Sequence, residues 1–562
     1  MRFFSRKRVK EIELDEILID SSNLPSFNRG RLEGRLEVPL GRWSVIGVGV
    51  VFSLIALVFF GQAVRLQVVE GAAFRARSEN NRLDRSLLIA ERGVIYDRTG
   101  ERLAWNKDDE DLAGFAGRAY SARRGLGQLL GYVSYPKRDS SGFFFRTEYE
   151  GISGIEAQYN GPLAGVNGEQ LVEIDATQTV ISEHVARLPV AGEAITLSID
   201  AEFSEVLHDA IATTSEEYGF RSGAGVVMDV ETGEIIALAN FPSYNPEVLA
   251  KGADADAIAA LNADPRLPFL NRIMTGLYTP GSVVKPFVAY AALVEGIISP
   301  EKEIVSTGSL VIPNPYNPAN PSIFNDWRAH GAVDMRRAIA VSSNVYFYTI
   351  GGGYKDQEGL GITKISEYMH RFGFGEPTNT PLAGERAGVV PTPAWKEEVF
   401  EDEWRLGDTY FTSIGQFGFQ VSPLQMLRAY GAIANGGTML TPHFVQGERA
   451  DSYNLNLDQQ ALAVVREGMR QSVLDGTARA LNRTDVHFAG KTGTAQVGAN
   501  NEHINSWAVG YFPYENPKYV FVTLLERGPA NNLFGAAPTM SRVVDWLIQN
   551  RPEYLGMPAD VE

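Results

Sequence analysis

From Trp43 to Val64 the chain carries no charged residue. At 1.5 Å per residue such a run makes a helix of about 33 Å, long enough to cross the hydrocarbon core of a bilayer. A cleaved signal peptide would not follow so long a leader, and a soluble core helix is seldom so long, so the pattern predicts one retained transmembrane helix over 43–64. Residues 1–42 mix charges with Pro25, Pro39 and several glycines and show no sustained apolar stripe, which predicts a disordered tail. Residues 65–194 alternate short apolar runs with turns such as Arg98-Thr99-Gly100-Glu101 and Gly161-Pro162, which predicts an elongated, strand-containing module with a modest core. From Ile195 the texture changes. Ala224 to Met228 and Glu234 to Leu238 flank Asp229-Val230-Glu231-Thr232-Gly233 as a hairpin. Helical stretches follow near Val283 to Ile298, Met335 to Ile350 and Ala461 to Val473, with strand-like runs at Ser506 to Phe512 and Tyr519 to Leu525. Residues 195–562 are therefore expected to form an α+β domain. No fixed-period repeat is present, which excludes solenoids and propellers.

Composition narrows the chemistry. With 562 residues, 44% hydrophobic and 21% charged, the chain can bury a sizeable core. Its 51 basic against 68 acidic residues give a net charge of −17, which repels phosphate backbones and argues against nucleic acid as a partner. The absence of cysteine removes disulfides, thiolate metal sites and a cysteine nucleophile. Arginines flank the apolar run evenly, Arg29, Arg31, Arg35 and Arg42 before it and Arg65, Arg75, Arg77 and Arg82 after it. The further Arg2, Arg6, Lys7, Arg8 and Lys10 favour a cytoplasmic N-terminus, with the long C-terminal part extracytoplasmic.

The seven histidines have no metal-ligand spacing. There is no Gly-x-Ser-x-Gly elbow, and Asp485 stands where a phosphate loop ending at Lys491-Thr492 would need its first glycine. What remains is Ser282-Val283-Val284-Lys285-Pro286. Positions i and i+3 share a helix face, so Lys285 could reach the Ser282 hydroxyl and take its proton. Proline is tolerated in a helix only in its first turn, which puts Ser282 at a helix start, where partial positive charge stabilises an oxyanion and depresses a lysine pKa. A capping serine beside a solvated lysine fits the same spacing, and Ser134 to Lys137 and Ser299 to Lys302 match it too. Lys491-Thr492-Gly493-Thr494 holds the chain's one Lys-Thr-Gly and reads as a strand whose glycine lets a ligand approach the backbone. Ser342-Ser343-Asn344 is weak alone, since Ser-x-Asn recurs at Ser21, Ser26, Ser78, Ser243 and Ser452. The three segments are far enough apart in sequence to converge from three elements.

In this order they resemble the active-site set of the penicillin-interacting serine enzymes. Arg92-Gly93-Val94-Ile95-Tyr96-Asp97-Arg98-Thr99-Gly100, Gly154-Ile155-Glu156 and Thr196-Leu197-Ser198-Ile199-Asp200 are similar to segments of class B penicillin-binding proteins. Leu382-Ala383-Gly384-Glu385, Pro391-Thr392-Pro393-Ala394-Trp395-Lys396 and Trp404-Arg405-Leu406-Gly407-Asp408-Thr409 resemble the elongation-type branch. The resemblance implies a penicillin-binding, serine β-lactamase-like transpeptidase domain over 195–562, an antiparallel sheet with flanking helices. It would stand on a membrane-proximal pedestal or dimerisation module over 65–194 behind a single membrane anchor.

The same resemblance implies a D,D-transpeptidase that cross-links peptidoglycan stem peptides ending in D-Ala-D-Ala and is acylated by β-lactams. Ser282 would be the nucleophile, Lys285 its base and Ser342 a proton relay. Asn344 would bind the donor's amide, and Lys491, Thr492, Gly493 and Thr494 its terminal carboxylate, with the amides of Ser282 and Thr494 as oxyanion hole. No metal or organic cofactor is implied. No segment resembles a glycosyltransferase, so a membrane-embedded polymerase of the shape, elongation and division (SEDS) class and other elongation-complex proteins are the implied partners, at the cytoplasmic membrane of a bacterium. A septal transpeptidase of the same class, a β-lactamase and a catalytically idle scaffold are the alternatives. Two positions depart from the family pattern: Phe417 replaces a glycine in Ile414-Gly415-Gln416-Phe417-Gly418, and Ser204 stands where a glutamine is expected. Ser343 is expected to be a permissive position.

Overall fold

The computed structural model describes residues 41–80, 83–109, 112, 115–138, 144–174, 180–314, 316–498, 500–532 and 534–556. The tail expected to be disordered lies outside them except for residues 41 and 42. The described residues fall into two compact units, within 1–84 and 173–181 and within 85–172 and 182–562.

In the first unit, helix α1 (Arg42–Val64) runs on through Arg65–Val69 in wider turns. The 28 residues Arg42–Val69 make a helix long and apolar enough to cross a membrane, about 42 Å by its rise. None of α1 is buried by protein.

The second unit opens with strands β1 (Ile95–Tyr96), β2 (Arg102–Lys107), β3 (Gly117–Tyr120) and β4 (Ile195–Thr196), ordered β4-β1-β2-β3 with β4 parallel to β1. Beside them the carboxylate of Glu156, wholly buried, takes Arg92 Nε at 2.6 Å and Arg118 Nε at 2.8 Å. Removing one partner of such a desolvated set costs about 3–5 kcal/mol, because a buried charge is left uncompensated. Asp97 Oδ1 accepts from the amides of Thr99 and Glu101, and its Oδ2 accepts from the amide of Ala201 at 3.1 Å. The Arg-Gly to Thr-Gly segment thus ties this sheet to the start of the next helix.

The remainder contains helices α2 (Ala201–Tyr218), α3 (Lys285–Val294), α4 (Met335–Val341), α5 (Asn344–Gly352), α6 (Pro423–Asn435), α7 (Gln459–Asp475) and α8 (Ala537–Asn550). Its sheet is built from β5 (Ser222–Asp229), β6 (Ile235–Phe241), β7 (Ala489–Val497), β8 (His503–Phe512) and β9 (Tyr519–Pro529). These strands are antiparallel throughout, in the order β6-β5-β9-β8-β7. The expected hairpin is β5-β6: Asp229 Oδ1 accepts from the amides of Glu231 and Thr232, and Gly233 takes positive φ.

Alternation along the strands feeds two cores, as a period of two requires. Val226, Trp507, Val509, Val520 and Val522 face one core, and Val227, Ala508, Phe512, Phe521 and Leu525 the other. On the second side, Leu207 and Ile211 of α2 meet Met540, Val543 and Leu547 of α8. On the first, α3 is buried from Lys285 to Ala292. The ring of Phe287 packs within 4.8–5.3 Å of Phe372, Phe374 and Tyr430, measured between centroids. The expected α+β architecture of sheet and flanking helices is present.

One expectation needs correcting. The helical stretch read from Met335 to Ile350 is two helices. Ser342 ends α4 in the left-handed region (φ 59, ψ 42), and Ser343 is extended and starts α5, its hydroxyl accepting from the amide of Tyr346 at 3.3 Å. Serine side chains compete for backbone hydrogen bonds and so favour helix ends, while the apolar periodicity runs across the break and hides it.

Candidate active site

Ser282 lies in a single tight turn, Gly281–Val284, that runs directly into α3, with Pro286 in the first turn of that helix. Three bonds fix the turn: Gly281 N donates to Gly415 O (2.9 Å), Trp507 Nε1 to Thr279 O (3.1 Å) and Tyr430 Oη to Val283 O (2.7 Å). The turn rests against the edge strand β7. A Cβ on Gly493 would lie 2.8 Å from Pro280 O, and one on Gly281 would lie 2.7 Å from Thr494 O. Two glycines therefore bring the first and third motifs into backbone contact, and the close approach at Gly493 is by the Ser282 turn itself. Ser282 is half-buried and Thr494 exposed, so both open to solvent.

Lys285 is wholly buried. Its ammonium donates to Ser342 O (2.8 Å), Ser342 Oγ (3.2 Å) and Asn344 Oδ1 (2.7 Å). Among the described residues no hydrogen bond joins it to Ser282, so the i, i+3 spacing correctly places the lysine beside the serine's turn but not its bonds. Burial pulls the Lys285 pKa down to about 7, against the pull of the Asp326 charge in the other direction. Lys491, also wholly buried, donates to Thr492 O at 2.8 Å. Burial and then the positive charge of Lys285 hold it well below the ordinary lysine range. Thr492 Oγ1 faces Thr477 Oγ1 at 2.7 Å. The other Ser-x-x-Lys pairs are elsewhere: Ser134 receives Arg146, and Ser299 and Lys302 are exposed.

Sequence reasoning missed Asp326. Its Oδ2 accepts from Ser343 Oγ (2.8 Å), Ser306 Oγ (3.0 Å) and the amide of Val345 (3.0 Å), and its Oδ1 from the amides of Asn344 (2.9 Å) and Trp327 (3.0 Å). Burial pushes its pKa up, but these hydrogen bonds and the Lys285 charge outweigh burial and hold it below the usual aspartate range. Ser343, expected to be permissive, is fully buried and spends its hydroxyl on Asp326. No local pattern marks Asp326, because its contacts with Ser343, Asn344 and Val345 close only when the start of α5 is in place.

The C-terminus of α4 is also capped from outside: Ala340 O accepts from Thr477 N (3.1 Å), Val341 O from Trp327 Nε1 (3.1 Å) and Ser342 O from Lys285. Phe417 does take positive φ, at 59°. Its ring sits 5.6–6.4 Å from those of Trp395, Phe400 and Trp404, and Lys396 Nζ lies 5.6 Å from its centroid. Ser204 supports the fold, donating to Asp200 O at 2.9 Å and accepting from the amide of Leu238.

A serine at a helix start, a buried lysine of depressed pKa bonded to a second serine and an asparagine, and a Lys-Thr-Gly edge strand meet at one place. The model for the penicillin-binding protein transpeptidase domain matches residues 223–545, and that for the penicillin-binding protein dimerisation domain matches 115–197. The chain belongs to the penicillin-binding protein transpeptidase family. Within that family it is an elongation-type class B member and a transpeptidase. A peptidoglycan D,D-transpeptidase MrdA from Haemophilus influenzae is 28% identical, the match covering 89% of this chain and 90% of that one. The penicillin-binding protein PBP2 of Helicobacter pylori, solved in complex with MreC, superposes with a TM-score of 0.68 at 26% identity over 83% of this chain and 99% of that one. A chain of a peptidoglycan synthase complex that coordinates polymerisation and cross-linking superposes with a TM-score of 0.70 at 26% identity, covering 93% of this chain and all of that one.

Proposed function

We propose that the chain is a membrane-anchored peptidoglycan D,D-transpeptidase of cell elongation that works through an acyl-enzyme on Ser282. The observation that carries the residue assignment is the bonding of buried Lys285 to Ser342 and Asn344, with a pKa drawn down to about 7. A lysine near neutrality is populated as the free amine that a general base must be. Once Lys285 loses a proton, its lone pair can take the Ser282 hydroxyl proton as Oγ attacks the penultimate D-alanine carbonyl. The negative charge that develops on oxygen meets the amides of Ser282 and Thr494, preorganised donors worth several kcal/mol in a dry site. Ser342, 3.2 Å from Lys285 Nζ, passes the proton to the departing D-alanine. An acceptor amine then attacks the ester, restoring the serine and leaving a new amide cross-link.

Asn344 holds the donor's amide, and Lys491, Thr492, Gly493 and Thr494 hold its carboxylate. An arriving carboxylate would raise the depressed Lys491 pKa. A β-lactam that mimics the donor acylates Ser282 in the same way. Residues 43–64 would be the anchor behind a cytoplasmic tail (1–42), carrying a pedestal (65–194) and the catalytic domain (195–562) outside the membrane. The family matches at 115–197 and 223–545 support that division. By analogy with the MreC-bound relative and the synthase complex, the chain would work with a SEDS-type glycan polymerase and other elongation proteins. The septal reading gains no support from relatives named peptidoglycan D,D-transpeptidase MrdA.

The test is transpeptidation by the full-length protein in detergent, using a donor ending in D-Ala-D-Ala and a D-amino acid acceptor. Release of D-alanine matched by the exchanged product, lost in Ser282→Ala, is expected. Release with hydrolysis product alone would make the protein a carboxypeptidase, and no release at all would contradict the reading.

A further inference from the structure

The proposed donor site contains one hydroxyl that belongs to none of the three motifs. Thr477 follows α7 directly after Gly476. Thr492 Oγ1 donates to Thr477 Oγ1 across 2.7 Å. The Thr477 amide donates to Ala340 O at 3.1 Å, and a Cβ on Gly476 would lie 2.2 Å from that same oxygen. The turn is thus pressed against the end of α4, two residues before Ser342, and only glycine fits at 476. Ser472 Oγ, the other hydroxyl near Thr477 Oγ1, is 3.4 Å away, at the long limit of a hydrogen bond. Thr477 and Thr492 are both half-buried.

A hydroxyl has one hydrogen. With its hydrogen committed to Thr477, Thr492 presents lone pairs, and it can donate to a carboxylate only by turning that hydrogen away from Thr477. The hydrogen left uncommitted to a short bond is that of Thr477. We propose that Thr477 is a specificity-determining residue of the donor site, its hydroxyl pairing with that of Thr492 to recognise the donor's terminal carboxylate. The same residue, through its amide, keeps the Lys-Thr-Gly strand in register with the helix that ends at Ser342. This rests on the reading of Ser282 as the acylated nucleophile. A site built to hydrogen-bond a group discriminates strongly against an analogue lacking it, because its own polar atoms are then left unpaired.

The experiment uses full-length protein in detergent, with N-benzoyl-D-alanyl-thioglycolate, a thioester donor with a free carboxylate, and its methyl ester. Acylation rates are compared for wild type, Thr477→Val and Thr477→Ser. Wild type is expected to prefer the carboxylate. Thr477→Val should lower the carboxylate-to-ester rate ratio at least tenfold, and Thr477→Ser should keep the ratio within about threefold of wild type. An equal loss on both donors, or an unchanged ratio, would make Thr477 merely structural and overturn the proposal. Loss of the preference in Thr477→Ser would overturn it as well, whether or not the valine variant folds. If wild type is acylated by neither donor while the protein is folded, the transpeptidase reading itself falls, and this proposal with it.

Discussion

Lys285 Nζ lies 2.7 Å from Asn344 Oδ1, a bond from the helix that follows the Ser282 turn to the first residue of a separate one. The lysine is therefore oriented by the second motif, and its basicity depends on how completely that motif is assembled around it.

The first consequence is a pH dependence. Burial draws the Lys285 pKa down to about 7, and the base must be neutral. The neutral fraction grows as pH rises through that value, so penicillin acylation should climb about tenfold per unit below it and level off above pH 8. Lys285→Arg, charged at every accessible pH, should lose about 10²–10⁴-fold in acylation. Stopped-flow acylation between pH 5.5 and 8.5 checks this, and a flat wild-type profile would remove Lys285 from the role of base.

Asp326 gathers five hydrogen bonds. In Asp326→Asn one carboxylate oxygen becomes an NH₂ group facing donors, which should cost about 2–4 kcal/mol. Loss of the negative charge should also move the pH midpoint of acylation below that of wild type. Thermal melts with the acylation profile measure both, and a midpoint that stays in place would mean that Asp326 only supports the fold.

Phe417 holds a left-handed backbone that costs a residue with a Cβ about 1–2 kcal/mol, offset by its aromatic neighbours. Phe417→Ala loses the ring contacts and keeps the backbone cost, whereas Phe417→Gly loses the contacts and relieves it. The alanine variant should be less stable than the glycine variant by about 1 kcal/mol in denaturant unfolding. The opposite order would contradict the backbone conformation.

Gly493→Ala places a methyl 2.8 Å from Pro280 O and 2.9 Å from Val283 Cγ1. Backbone cannot yield there without moving the Ser282 turn, so acylation should fall at least tenfold. Penicillin labelling at the wild-type rate would show that the turn and the strand can separate without harm.

What could be read beforehand was what is local. The alternation of β5, β8 and β9 records a two-sided sheet, and Ser282 with Pro286 records a helix start, because neighbouring residues alone decide both. The break at Ser342 was hidden because Ala338, Ile339, Tyr346 and Phe347 continue one apolar pattern across two helices that share a core. The spacing of Lys285 points to Ser282 and carries no trace of its acceptors, which come from Ser342 and Asn344. Phe417 was visible as a departure, but not the ring cage that tolerates it. Asp326 was invisible, since four of its five partners, Ser306, Ser343, Asn344 and Val345, become neighbours only through the tertiary fold.

The most direct test of the account is peptide mapping by mass spectrometry after the full-length protein is incubated with a penicillin. One adduct, on the peptide containing Ser282, persisting for many minutes and absent from Ser282→Ala, is predicted. An adduct on a different residue, rapid hydrolytic loss, or no adduct on folded protein would contradict the assignment of Ser282 as the acylated nucleophile of a transpeptidase.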